Sequence, residues 1–552
     1  MNISTTTLDA ALEQFGHESF RPGQERVIQA LLEGRDVLAL LPTGTGKSLT
    51  YQLTAQLLPG ATIVVSPLIA LMHDQLDSLS AQGIPVSVIN STQSRGAAMD
   101  ALELVRQGKT KLLYVTPERF ANDEFLAIVC KMDVSLFVVD EAHCISEWGH
   151  SFRPAYLELP NAIARLGRPT ILALTATATP WIREEITRRL GMRAPEIVVR
   201  GVDRPNLFFA VHRVEDESQD RRTLENMLLH APDDDAPEHE RERWQAMQGS
   251  GIVYTATTRA ARETADWLNE WGIAADYYHG QRKKQDREHV QNAFMSGELR
   301  IIVATNAFGL GIDKPDVRFV IHRDIPGSPE AYYQEAGRAG RDSERAYAIL
   351  IYRPGDLGRA AFLSSGGRLD HDDVRAAWPH FLKLENGTRR ELQEVTGLSK
   401  ANFDRLLKAL KQARVVADRR GHIQVLQTDI DPEAIPLEDE ERRRAYEQSR
   451  TDMMRGYAES HDCRREYLLT YFGEDFDGPC WRCDNCVAGI TVKRDPANEP
   501  FPLSSRVTHG AWGGGTVIRY EGDKLVVLFD DAGYKSLALD LVQENDLLKP
   551  AA

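Results

Sequence analysis

Short runs of β-branched and apolar residues recur through the first 355 positions, each followed by a stretch of helical length. DVLALL, TIVVSP, KLLYVTP, SLFVVD and TILALTAT carry the pattern to about residue 200, and GIVYTA, AADYYH, RIIVATN, VRFVIH and YAILIYR repeat it over 250–355. Apolar runs broken by helix-length segments are the pattern of a parallel sheet covered on both faces. The chain therefore reads as two α/β domains in tandem, over 1–205 and 206–356.

With 552 residues the chain is too long for one core, so roughly three to five domains are expected. Hydrophobic residues make up 42% and charged residues 27%, and no apolar run approaches the roughly 20 residues that span a bilayer. The start, MNISTTTLDAALEQFG, lacks a charged-then-apolar leader. A cytoplasmic, nucleoid-associated protein without membrane partners is the expectation. The net charge of -15 does not exclude a polyanionic partner, because binding depends on local basic surface. Part of the acidic excess lies in HAPDDDAPEHERER (230–243) and TDIDPEAIPLEDEE (428–441), read as solvated linkers.

LLPTGTGKSL (40–49) follows an apolar strand and opens a helix, as a phosphate-binding loop requires. Backbone N–H groups of Thr43, Gly44, Thr45 and Gly46 would surround phosphates, Lys47 would neutralise them and Ser48 would bind magnesium. Leu41 stands where the motif usually begins with glycine. Asp140 and Glu141 close the run SLFVVD, at the strand end where open α/β sheets bind ligands. Asp140 is assigned the metal and Glu141 the deprotonation of the attacking water. In the second α/β domain, YYQEAGRAGRD offers Arg338 and Arg341, guanidinium groups suited to charge spreading over phosphoryl oxygens.

Beyond 366 the pattern changes. Helical spacing in HDDVRAAWPHFLKL, TRRELQEVTG and KANFDRLLKALKQAR, followed by the ribbon VVADRRGHIQVL, predicts a winged helix-turn-helix over 366–428. Arg405, Lys408, Lys411 and Arg414 recur on one face of its third helix and suit phosphate contact, opposite Phe403, Leu406, Leu407 and Leu410. His422 beside Arg419 and Arg420 marks a wing. A long polar helix, EDEERRRAYEQSRTDMMRGYAESHDCRREYLLTYFG, is expected to lead into Cys463, Cys480, Cys483 and Cys486, a module over 438–492. Four thiolates at C-x16-C-x2-C-x2-C match structural zinc, with an iron–sulfur cluster as the alternative. Cys130 and Cys144 are read as core residues. Gly-rich turns between strand signals after 503 predict a small SH3-like β-barrel over 503–549.

Together and in this order, these motifs resemble the superfamily-2 helicases, and AHCISEWGHSFRP after the acidic pair resembles the RecQ family of DNA helicases. FRPGQ, SPLIALMHDQ, TPERF, LTATAT, DRPNL, ATNAFGLGIDKPDVRFVIH and QEAGRAGRD agree with it, over about 10–355 and again over 450–486. The resemblance implies two RecA-like domains, ATP, Mg2+ and Zn2+ as cofactors, and movement 3′ to 5′ along single-stranded DNA in repair or recombination. It implies an adenine clamp of Arg21 and Gln24, with His17 at the stacking position, and Asp313 at the ATP cleft. His143 with Thr175, Ala176 and Thr177 would couple hydrolysis to strand movement. Trp148, His150, Phe152 and Arg153 would contact single-stranded DNA, with stacking worth about 1–3 kcal/mol per base. Glu147 stands where the family more often has glutamine.

Two features depart from the family pattern. The winged helix precedes the zinc module, and the tail VTHGAWGGGTV resembles the small barrel of superfamily-1 repair helicases, a candidate surface for a protein partner. Tailed or branched duplex DNA is the expected substrate. A translocase with little unwinding, and a DNA-binding adaptor with a vestigial ATPase, are the alternatives.

Overall fold

The computed structural model describes residues 5–42, 46–90, 93, 95–146, 152–200, 203–309, 314–358, 369–384, 386–419, 421–474, 476, 478–491 and 499–551. The chain divides into two compact units: Met1–Arg323 with Glu330–Ile351 and His461–Lys493, and Asp324–Pro329 with Tyr352–Ser460 and Arg494–Ala552.

The first unit holds two parallel sheets. Strands β1 (Val37–Leu40), β2 (Ala61–Val65), β3 (Val86–Ile89), β4 (Leu112–Val115), β5 (Val134–Val139), β6 (Thr170–Thr175) and β7 (Glu196–Val199) lie in the order β3-β4-β2-β5-β6-β1-β7. Strands β8 (Leu207–Arg213), β9 (Ser250–Tyr254), β10 (Ala275–Tyr278), β11 (Ile301–Ala304), β12 (Val317–His322) and β13 (Ala346–Tyr352) form the second, in the order β10-β11-β9-β12-β13-β8. Every strand expected from the apolar runs is present. The short β3 and β7, and the more polar β8, complete the edges. The first sheet separates two apolar layers, one around Phe120, Phe137 and Tyr156 and the other around Val27, Leu53 and Tyr114. Such double-sided burial explains why its central strands read as uninterrupted apolar runs.

Two expectations change. Residues 230–243 are not linker throughout, because Glu238–Met247 forms a helix that buries Met247. The long polar helix is interrupted: it spans Glu438–Glu459, Ser460 is extended, and a second helix begins at Arg464 after Cys463. The two helices belong to different units.

In the second unit, helix His371–Lys383, strand β14 (Asn386–Thr388), helices Arg389–Thr396 and Lys400–Gln412, and strands β15 (Val416–Arg419) and β16 (His422–Val425) make a winged helix. Its core joins Trp378, Phe381, Phe403, Leu406 and Leu410. Strand β14, too short to register as a run, completes the three-stranded sheet. The C-terminal segment is a five-stranded antiparallel sheet with a short helix, Leu539–Glu544, before its last strand, the SH3-like arrangement. Its strand Gly533–Ala538 packs on helix Glu438–Glu459, where Tyr446 and Tyr534 approach to 6.1 Å. Among the described residues no helix is long and apolar enough to cross a membrane.

Candidate active site

A cleft of about 390 Å³ in the first unit is lined from both parallel sheets. The first contributes His17, Arg21, Gln24, Gly46, Lys47, Ser48, Asp140 and Glu141; the second contributes Gly309, Gln334, Arg338 and Arg341. These residues come from five separate stretches of sequence. Gly46–Ser48, Asp140–Glu141 and Gly309 reach the cleft from the C-terminal ends of β1, β5 and β11, where open parallel sheets bind ligands, whereas residues 17–24 precede β1 and 334–341 lie in and after the helix Pro329–Ala336.

Gly46 is left-handed (φ 76) and caps the helix Lys47–Leu57. A Cβ there would meet the Gln24 amide at 2.8 Å, and that amide donates to the Gly46 carbonyl at 3.0 Å. The Gln24 carbonyl oxygen accepts from the Arg21 N–H at 2.8 Å. Gln24 therefore ties the FRPGQ segment to the phosphate loop, while His17 and Arg21 face the cleft. Phe15 also lines it, a residue that sequence reading missed. Its signal was the spacing Leu8, Leu12, Phe15 on one helical face.

Asp140 and Glu141 are buried at the end of β5. Asp140 accepts from the Ser66 hydroxyl at 3.3 Å and from the Glu141 N–H at 3.0 Å, and its carbonyl accepts from the Tyr156 hydroxyl at 2.8 Å. Burial, and then the adjacent Glu141 charge, pushes the Asp140 carboxyl up to about 6. The buried Asp140 carboxylate and the Ser48 hydroxyl line the same cleft and are oxygen donors of the kind that fit a hydrated divalent cation. Glu141 is left-handed (φ 48), a conformation that costs about 1–3 kcal/mol in a residue with a side chain. Its carboxylate lies 3.4 Å from His143 Nδ1, which also meets Thr175 Oγ1 at 2.9 Å. The Thr175 hydroxyl donates to the Thr177 carbonyl at 3.1 Å, so towards His143 it acts as acceptor and Nδ1 carries the proton. Burial depresses the His143 pKa, keeping the ring neutral.

Opposite, buried Arg338 donates to the Gly309 carbonyl, and a Cβ on Gly309 would collide with its guanidinium. Arg341 is half-buried at the cleft.

Thr43, Gly44, Thr45, Glu147, Trp148, His150 and Asp313 lie outside the described residues. What is described of the aromatic segment is its root. The Ser146 hydroxyl donates to buried Glu185, the Arg153 N–H donates to the Cys144 carbonyl at 3.0 Å, and the Arg153 guanidinium donates to the Pro67 carbonyl at 3.2 Å. Phe152 is half-buried, and Cys144 is a core residue whose thiol burial pushes up. Cys130 packs at the edge of the same core.

Cys463, Cys480, Cys483 and Cys486 place their sulfurs within 4.8 Å of one another, and those of Cys480 and Cys486 are 3.8 Å apart. Tetrahedral zinc with bonds of about 2.3 Å sets sulfurs ~3.8 Å apart, so the group fits a closed zinc site. The Arg482 and Cys486 N–H groups donate to Cys480 and Cys483 sulfurs at 3.3 and 3.4 Å, supporting thiolate charge.

On the third helix of the winged domain the basic face is unevenly disposed. Lys408 and Arg414 are exposed, and Lys411 pairs with Asp418 at 3.2 Å. Arg405 is half-buried, donates to Asn402 Oδ1 at 3.0 Å and acts electrostatically on the half-buried Glu447 of helix Glu438–Glu459. Its charge is thus directed at least partly inward. His422 Nδ1 donates to the Asn386 carbonyl at 3.2 Å, and His422 pairs with Arg419 at the turn end of the β15–β16 ribbon. Arg420 and the Arg419 side chain lie outside the described residues.

Family comparison agrees with this assembly. The DEAD/DEAH box helicase family matches residues 21–185, the helicase conserved C-terminal domain 237–343, and RecQ zinc-binding 417–487. The chain is 35% identical over 502 residues to ATP-dependent DNA helicase RecQ of Synechocystis sp., covering 88% of this chain and 98% of that protein. It is 34% identical over 513 residues to the probable ATP-dependent DNA helicase RecS of Bacillus subtilis, covering 91% and 96%. Against ATP-dependent DNA helicase RecQ of Pasteurella multocida it is 35% identical over 486 residues; the match takes in 88% of this chain but only 63% of that relative's length.

Proposed function

Because this chain belongs to the RecQ family of helicases, we propose that it is an ATP-dependent DNA helicase, coupling Mg-ATP hydrolysis to 3′-to-5′ movement on single-stranded DNA and to unwinding, in repair or recombination. The observation that carries the reading is the single cleft to which one sheet brings Lys47, Ser48, Asp140 and Glu141 and the other brings Arg338 and Arg341. Magnesium, held by Ser48 and Asp140, would screen the phosphate oxygens. Lys47 binds the phosphates, Glu141 takes the proton of the attacking water, and the arginines stabilise charge on the transferring group. Because the arginines ride on the second sheet, turnover requires both sheets to engage the nucleotide, and hydrolysis converts to relative motion.

DNA sensing is assigned to Trp148, His150, Phe152 and Arg153. The root of that segment is fastened at Ser146 and Arg153, next to the Glu141–His143–Thr175 contacts, so a strand binding there is mechanically close to the catalytic carboxylate. Lys408 and Lys411 are assigned to backbone phosphates, with Arg405 in a supporting place. Zinc has a structural role, and the C-terminal barrel is a surface for a protein partner in the nucleoid.

ATP hydrolysis with and without single-stranded DNA tests the proposal. Lys47→Ala should abolish both rates, and Trp148→Ala should mainly reduce the DNA stimulation. Equal loss of basal and stimulated rates in Trp148→Ala would rule out the sensing role. A second reading, a translocase that unwinds little, is favoured by the shortness of the wing, whose strands β15 and β16 have four residues each. Strand displacement on a 3′-tailed duplex separates the two.

A further inference from the structure

The segment that carries Arg338 and Arg341 is held through its backbone by two residues of the connection ahead of β8. The Arg204 guanidinium donates to the carbonyls of Gly337 (2.9 Å), Ala339 (3.0 Å) and Gly340 (2.8 Å). The Asn206 amide donates to the carbonyls of Gly340 and Glu344, each at 2.8 Å. Gly340 is left-handed (φ 61), and a Cβ there would collide with the Asn206 amide. Four carbonyls flanking or separating the two arginines are therefore gripped by Arg204 and Asn206.

That connection is itself gripped from its other side by the cysteine module. Arg465, 3% exposed, forms an ion pair with Asp203 and donates to the Leu207 carbonyl at 2.6 Å. Arg482 donates to the Pro205 carbonyl at 2.8 Å, and the Phe209 N–H donates to the Arg482 carbonyl at 3.2 Å. Arg465 and Arg482 each stand two positions after a cysteine, Cys463 and Cys480, so the geometry of the sulfur cluster sets where both arginines begin.

We infer that Arg465 and Asp203, acting through Arg204, are positioning residues for the arginine segment, so that the cysteine module governs the turnover of bound ATP. This rests on the reading that the cleft hydrolyses ATP. None of the three lines the cleft, whereas Arg338 and Arg341 do. A displacement of about 1 Å at a group that meets the transferring phosphoryl is enough to cost ~100-fold in rate. ATP binding relies mainly on the first sheet and is much less sensitive to the segment.

The test uses the full chain with zinc bound and compares Arg465→Gln, Asp203→Asn, the double variant, Arg465→Lys and Arg204→Lys. Steady-state hydrolysis at saturating single-stranded DNA should show kcat lowered about tenfold or more, with KM for ATP within about twofold. The double variant should be no worse than the poorer single one, and Arg465→Lys should recover part of the loss. Amide hydrogen exchange over residues 337–345 should quicken in Arg465→Gln while zinc content stays at the wild-type level. Unchanged exchange, kcat within twofold of wild type despite faster exchange, or loss of zinc from Arg465→Gln would each overturn the inference. Should Arg465→Gln not fold, Arg204→Lys decides on the same split. A wild-type chain with no DNA-stimulated hydrolysis would refute the cleft reading instead, and exchange would still report whether Arg465 holds the segment.

Discussion

Replacing Thr175 by Val keeps the shape of the side chain and removes its hydroxyl from a fully buried position. Three contacts go: the 2.9 Å bond from His143 Nδ1, the 3.3 Å bond from the Thr177 N–H and the 3.1 Å bond to the Thr177 carbonyl. His143 is 3% exposed, so water cannot replace the lost acceptor, and an unsatisfied buried N–H costs about 1–3 kcal/mol. The ring would keep its 3.4 Å approach to Glu141. Glu141 already holds a strained backbone, and with a less constrained neighbour its carboxylate would spend less time in the attacking geometry. A loss of about 1.4–2.7 kcal/mol of transition-state stabilisation corresponds to a ~10–100-fold fall in DNA-stimulated kcat. Phosphate release against single-stranded DNA concentration, beside urea unfolding of the same samples, measures both effects. His143→Ala should fall in the same range, and the double variant should be no worse than either. If Thr175→Val loses stability by the stated amount yet keeps its stimulated kcat within twofold, the contact is structural and the coupling argument fails.

Other perturbations probe separate parts of the site. Glu141→Gln should lower hydrolysis by about 10²–10⁴-fold while leaving ATP binding near wild type in a fluorescent-nucleotide titration; retained turnover would remove Glu141 as the base. Cys483→Ser should lose zinc by metal analysis, destabilise the module by several kcal/mol and open residues 461–491 to trypsin; full zinc retention would contradict the four-sulfur site. His143 supplies a pH dependence. Burial lowers its folded pKa below the ordinary value of about 6.5, so the stability it contributes is complete above that pH and is lost as pH falls towards the folded pKa. The stability difference between wild type and His143→Gln should therefore shrink from about pH 7.5 to about pH 5.5, and a difference that is flat or grows would reverse the assignment.

Much of this protein is decided locally. Strands buried on both faces must be apolar throughout, so β1, β2, β4, β5 and β6 stand out as apolar runs in the sequence. Lys47, Ser48, Asp140 and Glu141 are legible for a related reason: phosphate and metal chemistry demands particular residues at the junction of strand and loop. Four cysteines within 24 positions declare a metal site through their spacing alone.

Tertiary structure decided what depends on distant partners. Phe15 reaches the cleft only because its helix packs on the first sheet, and the direction of Arg405 depends on Glu447, 42 positions away. The break at Ser460, ahead of Cys463 and its sulfur cluster, is not contained in helical periodicity. DRPNL reads as a motif, but the carbonyls that Arg204 and Asn206 hold lie more than 130 residues along the chain. Hydrogen bonds to backbone carbonyls leave no mark in the identity of the accepting residue. The residues that perform the chemistry are therefore written in the sequence, while those that hold them in place appear only once the chain has folded.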